Sequence, residues 1–220
     1  MISVEGLSVA YGGRLAVGDV SFAVAPGQVL GLIGPNGAGK TSVLNGCSGL
    51  VTASGSVSVG GRALRGGLAA RARAGLGRTF QRPAVFGSLT VSDDVGLGGP
   101  ASQALEVCGL TDLRNTRCSA LTPGQRRRVE LARVLAGNFT AALLDEPFAG
   151  LDDREKQDLR QVLRVLAEGR AVVLVEHDLS VVADVCDEVL VLDRGQVLTS
   201  GPPLATLASD AVREAYLGVS

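Results

Sequence analysis

Apolar residues follow two different patterns along the chain. Over residues 2–10, 20–24 and 55–59 they alternate with polar residues, which is typical of strands that bury one face. Elsewhere, short runs are apolar at every position and predict strands that are buried on both faces of a parallel sheet. These uninterrupted runs are Val29–Ile33, Ala141–Leu144 and Ala171–Val175.

Helical periodicity separates these strands. Apolar residues recur at three- and four-residue spacing over Gln103–Leu110, Gln125–Leu135 and Asp153–Glu168. A hairpin is expected over Val189–Leu198, and a short helix over Ala208–Tyr216 closes the pattern. Alternating strands and helices predict an α/β fold.

Two segments show little periodicity. Residues 61–74 contain four arginines and predict a polar helix or loop. A short strand is expected after residue 75 and ends by Pro83. Gly98-Gly99-Pro100 is the strongest candidate for a linker, because glycine and proline interrupt regular structure.

The run Val29–Ile33 leads into a glycine-rich loop that fits the P-loop pattern G-x-x-x-x-G-K-[ST] between a strand and a helix. In such a loop the backbone N–H groups and the helix dipole face an anion. Lys40 would reach the β- and γ-phosphates of a nucleotide, and the Thr41 hydroxyl would ligate Mg²⁺. The alternative, a glycine-rich turn with a surface lysine, does not explain the strand and helix on either side. The expected phosphate-binding residues are Gly34, Pro35, Asn36, Gly37, Ala38, Gly39, Lys40, Thr41 and Ser42.

Two further strand ends carry candidate catalytic residues. The run Ala141–Leu144 ends in Asp145, which could hold Mg²⁺, and Glu146, which could deprotonate an attacking water. His177 is the only histidine of the chain and follows the run Ala171–Val175. Ligands bind at the carboxyl ends of strands in open α/β sheets, so His177 is a functional candidate.

Tyr11 lies at the tip of the first predicted hairpin, where it could stack on a nucleotide base or serve only as a hairpin aromatic. The cysteines have no metal-site spacing and are expected to be reduced thiols, although Cys108 and Cys118 could approach each other.

Composition narrows the partners and the location. The net charge of −1 argues against a nucleic-acid partner. The apolar runs are too short to span a bilayer, and residues 1–5 have neither the charge nor the apolar stretch of a signal peptide. The hydrophobic content of 46% suggests a protein that docks on a partner.

Taken in order, these motifs resemble those of the ATP-binding subunit of an ABC transporter, over essentially the whole chain. The motifs are Tyr11, the P-loop Gly34–Thr41, the Q-loop residue Gln81, the signature turn Leu121–Gln125, the Walker B segment Leu143–Glu146, the D-loop Ala149–Asp152 and the switch residue His177. The resemblance implies a P-loop NTPase (RecA-like) core with a small antiparallel β subdomain, as one domain over residues 1–220. It also implies a helical subdomain inserted at about residues 87–135.

The resemblance implies a mechanism as well. Such subunits pair head to tail, so Thr122, Gly124, Gln125 and Asp152 would face ATP bound to the P-loop of a second copy or a paralogue. Glu146 would be the general base, with Lys40 and His177 stabilising the γ-phosphate. Gln81 would contact Mg²⁺ and link the site to an integral membrane permease. The expected location is the cytoplasmic face of the membrane.

Two loops resemble the ATPases of branched-chain amino acid importers, namely Gly77–Gln81 with Val85–Val91, and Glu176–Leu179. This predicts import of a small solute of that type, with an extracytoplasmic solute-binding protein. Importers of urea, short amides and aromatic compounds use similar subunits. The chain could instead be a soluble ABC protein outside transport, a regulatory member with little turnover or, more distantly, a P-loop kinase.

The chain departs from the family pattern in two ways. The usual signature L-S-G-G-Q has Thr122 for the serine and Pro123 for the first glycine here. Pro123 lacks an N–H group and should weaken the grip on the γ-phosphate if that group is used. The segment between Gly87 and Leu121 looks some tens of residues shorter than in typical importer ATPases, which predicts a shortened helical subdomain and an altered permease contact.

Overall fold

The computed structural model describes residues 1–217. Most strands lie where the apolar patterns predicted them. In chain order they are β1 (Ile2–Tyr11), β2 (Arg14–Val24), β3 (Val29–Ile33), β4 (Ala53–Val59), β5 (Arg62–Ala63), β6 (Leu76–Arg78), β7 (Ala141–Asp145), β8 (Ala171–Val175), β9 (Glu188–Asp193) and β10 (Gln196–Gly201). The hairpin of β9 and β10 turns at residues 194–195, as expected.

Most helices lie where the sequence predicted them, and three short ones, at Val91–Gly96, Leu179–Val185 and Pro203–Leu207, were not indicated by the periodicity. In chain order they are α1 (Lys40–Ser48), α2 (Leu68–Arg73), α3 (Val91–Gly96), α4 (Ala101–Val107), α5 (Pro123–Ala136), α6 (Asp153–Ala167), α7 (Leu179–Val185), α8 (Pro203–Leu207) and α9 (Asp210–Leu217). Helices α3, α7 and α8 have at most seven residues, too few to establish a 3.6-residue period. No helix within residues 1–217 has the length and apolarity needed to cross a bilayer.

Two sheets organise the molecule. The larger has the order β10-β9-β3-β8-β7-β6 and is parallel except for β10. The smaller is antiparallel, with the order β2-β1-β4-β5. This is the α/β fold of a P-loop NTPase with a small antiparallel β subdomain, as the sequence predicted.

Both faces of the larger sheet are buried, because successive side chains of each strand point to opposite sides. Leu143 and Val173 face α1 and the antiparallel sheet. Their neighbours Leu144 and Leu174 face α5, α6 and α7. Helix α1 is therefore enclosed between the two sheets, so the loop that precedes it has a rigid base.

The segment Gly98-Gly99-Pro100 is not a linker between independent parts, and this prediction was wrong. It is a tight turn between α3 and α4 that packs on the end of α5. A side chain at Gly98 would meet the Arg133 carbonyl oxygen at 2.1 Å, and one at Gly99 would meet that of Ala136 at 2.3 Å. The glycines permit close packing within the helical region that follows β6.

The four cysteines are buried and free, so Cys108 and Cys118 form no bond with each other. Burial raises the pKa of the Cys47 thiol to about 12, which keeps it protonated at neutral pH.

Candidate active site

The candidate site lies at the carboxyl ends of β3, β8 and β7, which are neighbours in the larger sheet. Segments that are far apart in the sequence meet there in a cleft of about 1050 Å³. Its walls are formed by Tyr11, Arg14, Leu15, Ala16, Asn36, Gly37, Gly39, Lys40, Thr41, Ser42, Gln81, Glu146, His177 and Arg194. Most of the residues predicted to contact a nucleotide therefore share one cleft.

The loop after β3 needs glycine at two positions. Gly34 has φ of 147°, and a Cβ there would lie 2.1 Å from the carbonyl oxygen of Leu192. Gly39 has φ of 105° and would place a Cβ 2.8 Å from Val17 and 3.0 Å from the carbonyl oxygen of Ala16. Both backbone conformations are in the region that favours glycine. One side of the loop therefore packs closely on Ala16, Val17 and Leu192, and its other, open side faces the cleft.

That open side consists of hydrogen-bond donors. The N–H groups of Gly39, Lys40, Thr41 and Ser42 find no acceptor within residues 1–217. Helix α1 has no capping side chain and no acidic residue in its first turn. Unpaired N–H groups at the positive end of a helix dipole fit the oxygens of a phosphate group.

Lys40 closes the loop on itself. It is buried, and its Nζ atom donates to the carbonyl oxygens of Gly34 at 2.7 Å and Pro35 at 2.9 Å. Burial lowers the pKa of Lys40, while Glu146 and Asp145 act in the opposite direction. A phosphate would offer this ammonium group a charged acceptor in place of two neutral ones, and charge-assisted hydrogen bonds are the stronger kind.

Glu146 is held by His177, another candidate catalytic residue, and by Gln81, a predicted Mg²⁺ contact. His177 Nε2 lies 2.7 Å from Glu146 Oε1, and Gln81 Nε2 donates to Oε2 at 3.2 Å. Because a carboxylate oxygen only accepts, Nε2 of His177 is the donor in this contact. The backbone of Glu146 has φ of 49°, which is unusual for a residue other than glycine. The structure thus fixes the Glu146 carboxylate at the cleft.

Asp145 fits a divalent cation. Its side chain is buried, and its Oδ1 atom has no hydrogen-bond partner within the described chain. Burial raises the pKa of this carboxyl, although Arg78 acts against the rise from 3.9 Å away. Residues 1–217 contain no cluster of three or more side chains that could hold a metal alone. The unpaired Asp145 oxygen suits Mg²⁺, which binds one or two protein oxygens and completes its shell with water and phosphate.

The side chain of Arg78 is buried behind the site, next to Asp145, and this residue was not among the predicted site residues. Its guanidinium donates to the carbonyl oxygen of Leu44 at 3.0 Å, and to Ser48 and Asn45. It also lies 4.8 Å from the ring centre of Phe80. Arg78 therefore ties Asp145 to the carboxyl-terminal half of α1, where a cation complements the helix dipole.

The residues predicted from the signature turn and the D-loop lie outside this cleft. Thr122 caps α5 by accepting from Gln125 N–H at 3.3 Å, and the Gln125 side chain accepts from Thr122 N–H at 2.9 Å. Asp152 caps α6 in the same way through Glu155. The Gly124 N–H has no acceptor within residues 1–217. The structure therefore does not bring Thr122, Gly124, Gln125 and Asp152 to the P-loop of the same chain.

Side chains of helix α5 form hydrogen bonds with the backbone around Gln81. In the sequence, only the cluster of arginines in this helix hinted at such contacts. Arg127 donates to the carbonyl oxygens of Phe80 and Gln81, each at 2.9 Å. Glu130 Oε1 accepts from the N–H groups of Phe80 at 3.1 Å and Ala84 at 3.2 Å. Arg127 and Glu130 are both buried. We call Arg127 and Glu130 the α5 clamp.

The rim of the cleft adds residues that were not predicted. Arg14, Leu15 and Ala16 follow the turn after Tyr11, and Arg194 comes from the hairpin between β9 and β10. Tyr11 itself lies on the rim with 45% of its surface exposed, so its ring is accessible to a base. The residues around Arg14 and Arg194 in the sequence carried no sign of a role in the site, because only the folded chain brings these two arginines to the P-loop.

Comparisons with known proteins agree with this geometry. A family model described as "ABC transporter" matches residues 17–149. A probable ABC transporter ATP-binding protein of Azorhizobium caulinodans is 37% identical, over 99% of this chain and 83% of its own length. The lipopolysaccharide export system ATP-binding protein LptB of Acidithiobacillus ferridurans is 36% identical, over 99% and 97%. The crystal structure of the ADP conformation of MJ1267, an ATP-binding cassette of an ABC transporter, matches with a TM-score of 0.88 and 27% identity, over 99% and 98%.

Proposed function

The chain belongs to the ABC transporter family of ATP-binding subunits, which are ATPases, and from that premise we propose that it powers transport through a separate membrane permease by hydrolysing ATP in the cleft described above. The observation that carries the proposal is the position of Glu146, held between His177 and Gln81 opposite the unpaired N–H groups of the P-loop. The cytoplasmic face of the membrane is the proposed location, because ATP is supplied there.

The P-loop residues and Lys40 would hold the phosphates of ATP. Thr41, Asp145 and Gln81 would hold Mg²⁺, which when bound neutralises phosphate charge and aligns the transferred group. Tyr11 would stack on the base. Tyr11, Lys40, Thr41 and Gln81 already line the cleft, whereas Asp145 is buried beside it.

Glu146 would accept the proton of the attacking water. Its two oxygens are fixed by hydrogen bonds from His177 and Gln81, so the carboxylate is oriented before the reaction begins. His177 would also stabilise charge on the γ-phosphate. A base that two neighbours already hold in the right orientation lowers the barrier to hydrolysis, because less ordering is needed to reach the transition state.

ABC ATPase subunits work as dimers with membrane permeases, and the position of the signature turn supports a head-to-tail pair here. The unpaired Gly124 N–H lies at the amino end of α5, outside its own cleft, where the γ-phosphate of a second copy's ATP could bind. Pro123 occupies the first position of α5, where no intrahelical partner exists for an N–H group. The proline therefore costs α5 no hydrogen bond of its own. Because Lys40, Glu146 and His177 all line the cleft, we favour an active subunit over a regulatory one.

The transported compound is a separate question. Several similar relatives are lipopolysaccharide export system ATP-binding proteins, whereas the loops at residues 77–81, 85–91 and 176–179 resemble those of amino acid importers. The importer proposal, with its extracytoplasmic solute-binding protein, rests on those loops alone, and the export relatives do not support it. Stimulation of the assembled complex by a solute-binding protein would favour import.

The Glu146→Gln substitution tests the central proposal. Turnover should fall by about 100-fold or more, because a general base contributes this much. ATP binding should persist, and the ATP-bound variant should elute as a dimer on size exclusion. Steady-state phosphate release and nucleotide titration measure the two effects.

Glu168→Gln is the matched control, since Glu168 is exposed at the far end of α6. It should hydrolyse ATP at the unmodified rate. If Glu146→Gln does the same, Glu146 is not the base.

A further inference from the structure

The carboxyl-terminal helix reaches the P-loop through one side chain. The N–H group of Gly34, the first residue of the loop, donates to the hydroxyl oxygen of Tyr216 at 3.0 Å. Tyr216 lies in α9 and is partly buried against the core on the α6 and α7 side of the larger sheet. The side chain of Val212, one turn earlier, is buried and anchors the helix. A residue 182 positions away therefore contacts the phosphate-binding loop.

Gly34 is hydrogen-bonded on both sides of its backbone. Its N–H group is bound by Tyr216, and its carbonyl oxygen accepts from Lys40 Nζ. The carbonyl oxygen of Leu192 blocks any side chain at this position. Tyr216, Gly34 and Lys40 thus form a chain of contacts from the last helix to the cleft.

Phosphate binding would change this chain at one end only. Lys40 would leave the carbonyl oxygens of Gly34 and Pro35 for a phosphate oxygen. Among the described residues, Tyr216 would then be the side chain that remains hydrogen-bonded to the backbone of Gly34. Burial raises the pKa of Tyr216, so the side chain keeps its proton over the working pH range. Its neutral hydroxyl oxygen accepts the Gly34 N–H through a lone pair.

Building on the proposed function, we propose that Tyr216 is a positioning residue for ATP binding: its hydroxyl fixes the Gly34 amide and preserves the shape of the P-loop when Lys40 turns to the nucleotide. The matched family model ends at residue 149, so α9 lies outside the part of the chain that it describes. Tyr216 does not line the cleft and would act through Gly34 alone.

The Tyr216→Phe variant removes only the hydroxyl. The KM for ATP should rise about three- to tenfold, the range expected for one lost hydrogen bond, while kcat changes less than twofold. The Gly34 amide in the nucleotide-free protein should exchange its hydrogen about three- to tenfold faster, as measured by NMR. The melting temperature should be nearly unchanged, because the ring still packs.

Ser209→Ala is the matched control. It also removes a hydroxyl from the carboxyl-terminal segment, one that donates to the carbonyl oxygen of Thr206 at 2.7 Å and does not touch the P-loop. It should leave both the KM for ATP and Gly34 exchange unchanged.

An unchanged Gly34 exchange rate in Tyr216→Phe would overturn the contact, and faster exchange with an unchanged KM would overturn its role. The exchange measurement needs no turnover. It therefore separates failure of this inference from failure of Glu146 as the base.

Discussion

The amino ends of two helices, α1 and α5, are the proposed phosphate sites, and they are built in opposite ways. Helix α1 begins after Gly39 with no capping side chain, and the N–H groups of its first turn have no acceptor in the described part of the chain. Helix α5 begins with Thr122 and Gln125 in a reciprocal capping box, with Pro123 at its first position. Of its early donors, Gly124 N–H alone lacks an acceptor within residues 1–217.

This difference shows which of the two helix ends needs a ligand to pair its N–H groups. Helix α1 leaves several donors and a buried lysine for a phosphate to satisfy, so nucleotide binding should begin there. Helix α5 is complete without a ligand and is tied to the Q-loop by the α5 clamp. Its single free donor suits a second, later contact, the one that would close a dimer over ATP.

Lys40→Ala tests the α1 side and should have the largest effect. It removes the cation proposed to bind phosphate, and turnover should fall at least about 100-fold with a matching loss of ATP affinity. Lys156→Ala is the control, because Lys156 is the other lysine of the chain and pairs with Asp178 outside the cleft, where both side chains are half-buried. Nucleotide titration and phosphate release measure both. Equal ATP affinity in the two variants would break the proposed distinction between the helices.

Gly124→Ala tests the α5 side. The added methyl group would lie 2.5 Å from Glu155 Oε1 and would crowd the approach to the free N–H group. Turnover should fall about tenfold, whereas ATP affinity of the dilute monomer should not change, since Gly124 lies outside the cleft of its own chain. Glu155→Ala separates the effect of displacing Glu155 from that of blocking the amide. A loss of monomer affinity in Gly124→Ala would contradict the two-copy arrangement.

Glu130→Ala should have the smallest effect on turnover and the largest on folding. It leaves the N–H groups of Phe80 and Ala84 unpaired and Arg127 without its carboxylate. The free energy of unfolding should fall by about 3 kcal/mol, as expected for breaking a buried pair. Turnover should fall about threefold with little change in ATP affinity, because Gln81 would be less well placed.

Glu106→Ala, at an exposed position of α4, is the control, and denaturant unfolding gives the stability. Glu130→Gln should restore part of the loss, since its carbonyl oxygen can still accept. If Glu130→Ala loses stability but keeps full turnover, the clamp has no part in positioning Gln81.

The sequence predicted best where neighbouring residues carry the signal. The apolar runs before Gly34 and Asp145 located β3 and β7, and the spacing of the P-loop identified its own strand and helix. The sequence did not predict contacts between residues that are far apart along the chain. Arg78 contacts α1 about thirty residues away, and the clamp residues act on a loop nearly fifty residues upstream. Nothing local distinguishes such an arginine from one that faces solvent.

The left-handed backbone at Glu146 has a consequence for how the chain could change. A residue other than glycine in that region costs about 1 kcal/mol or more. Glycine at position 146 would relieve this strain and remove the carboxylate at once. With Glu146 as the proposed base, a relaxed backbone and a high turnover therefore make opposite demands on this one position.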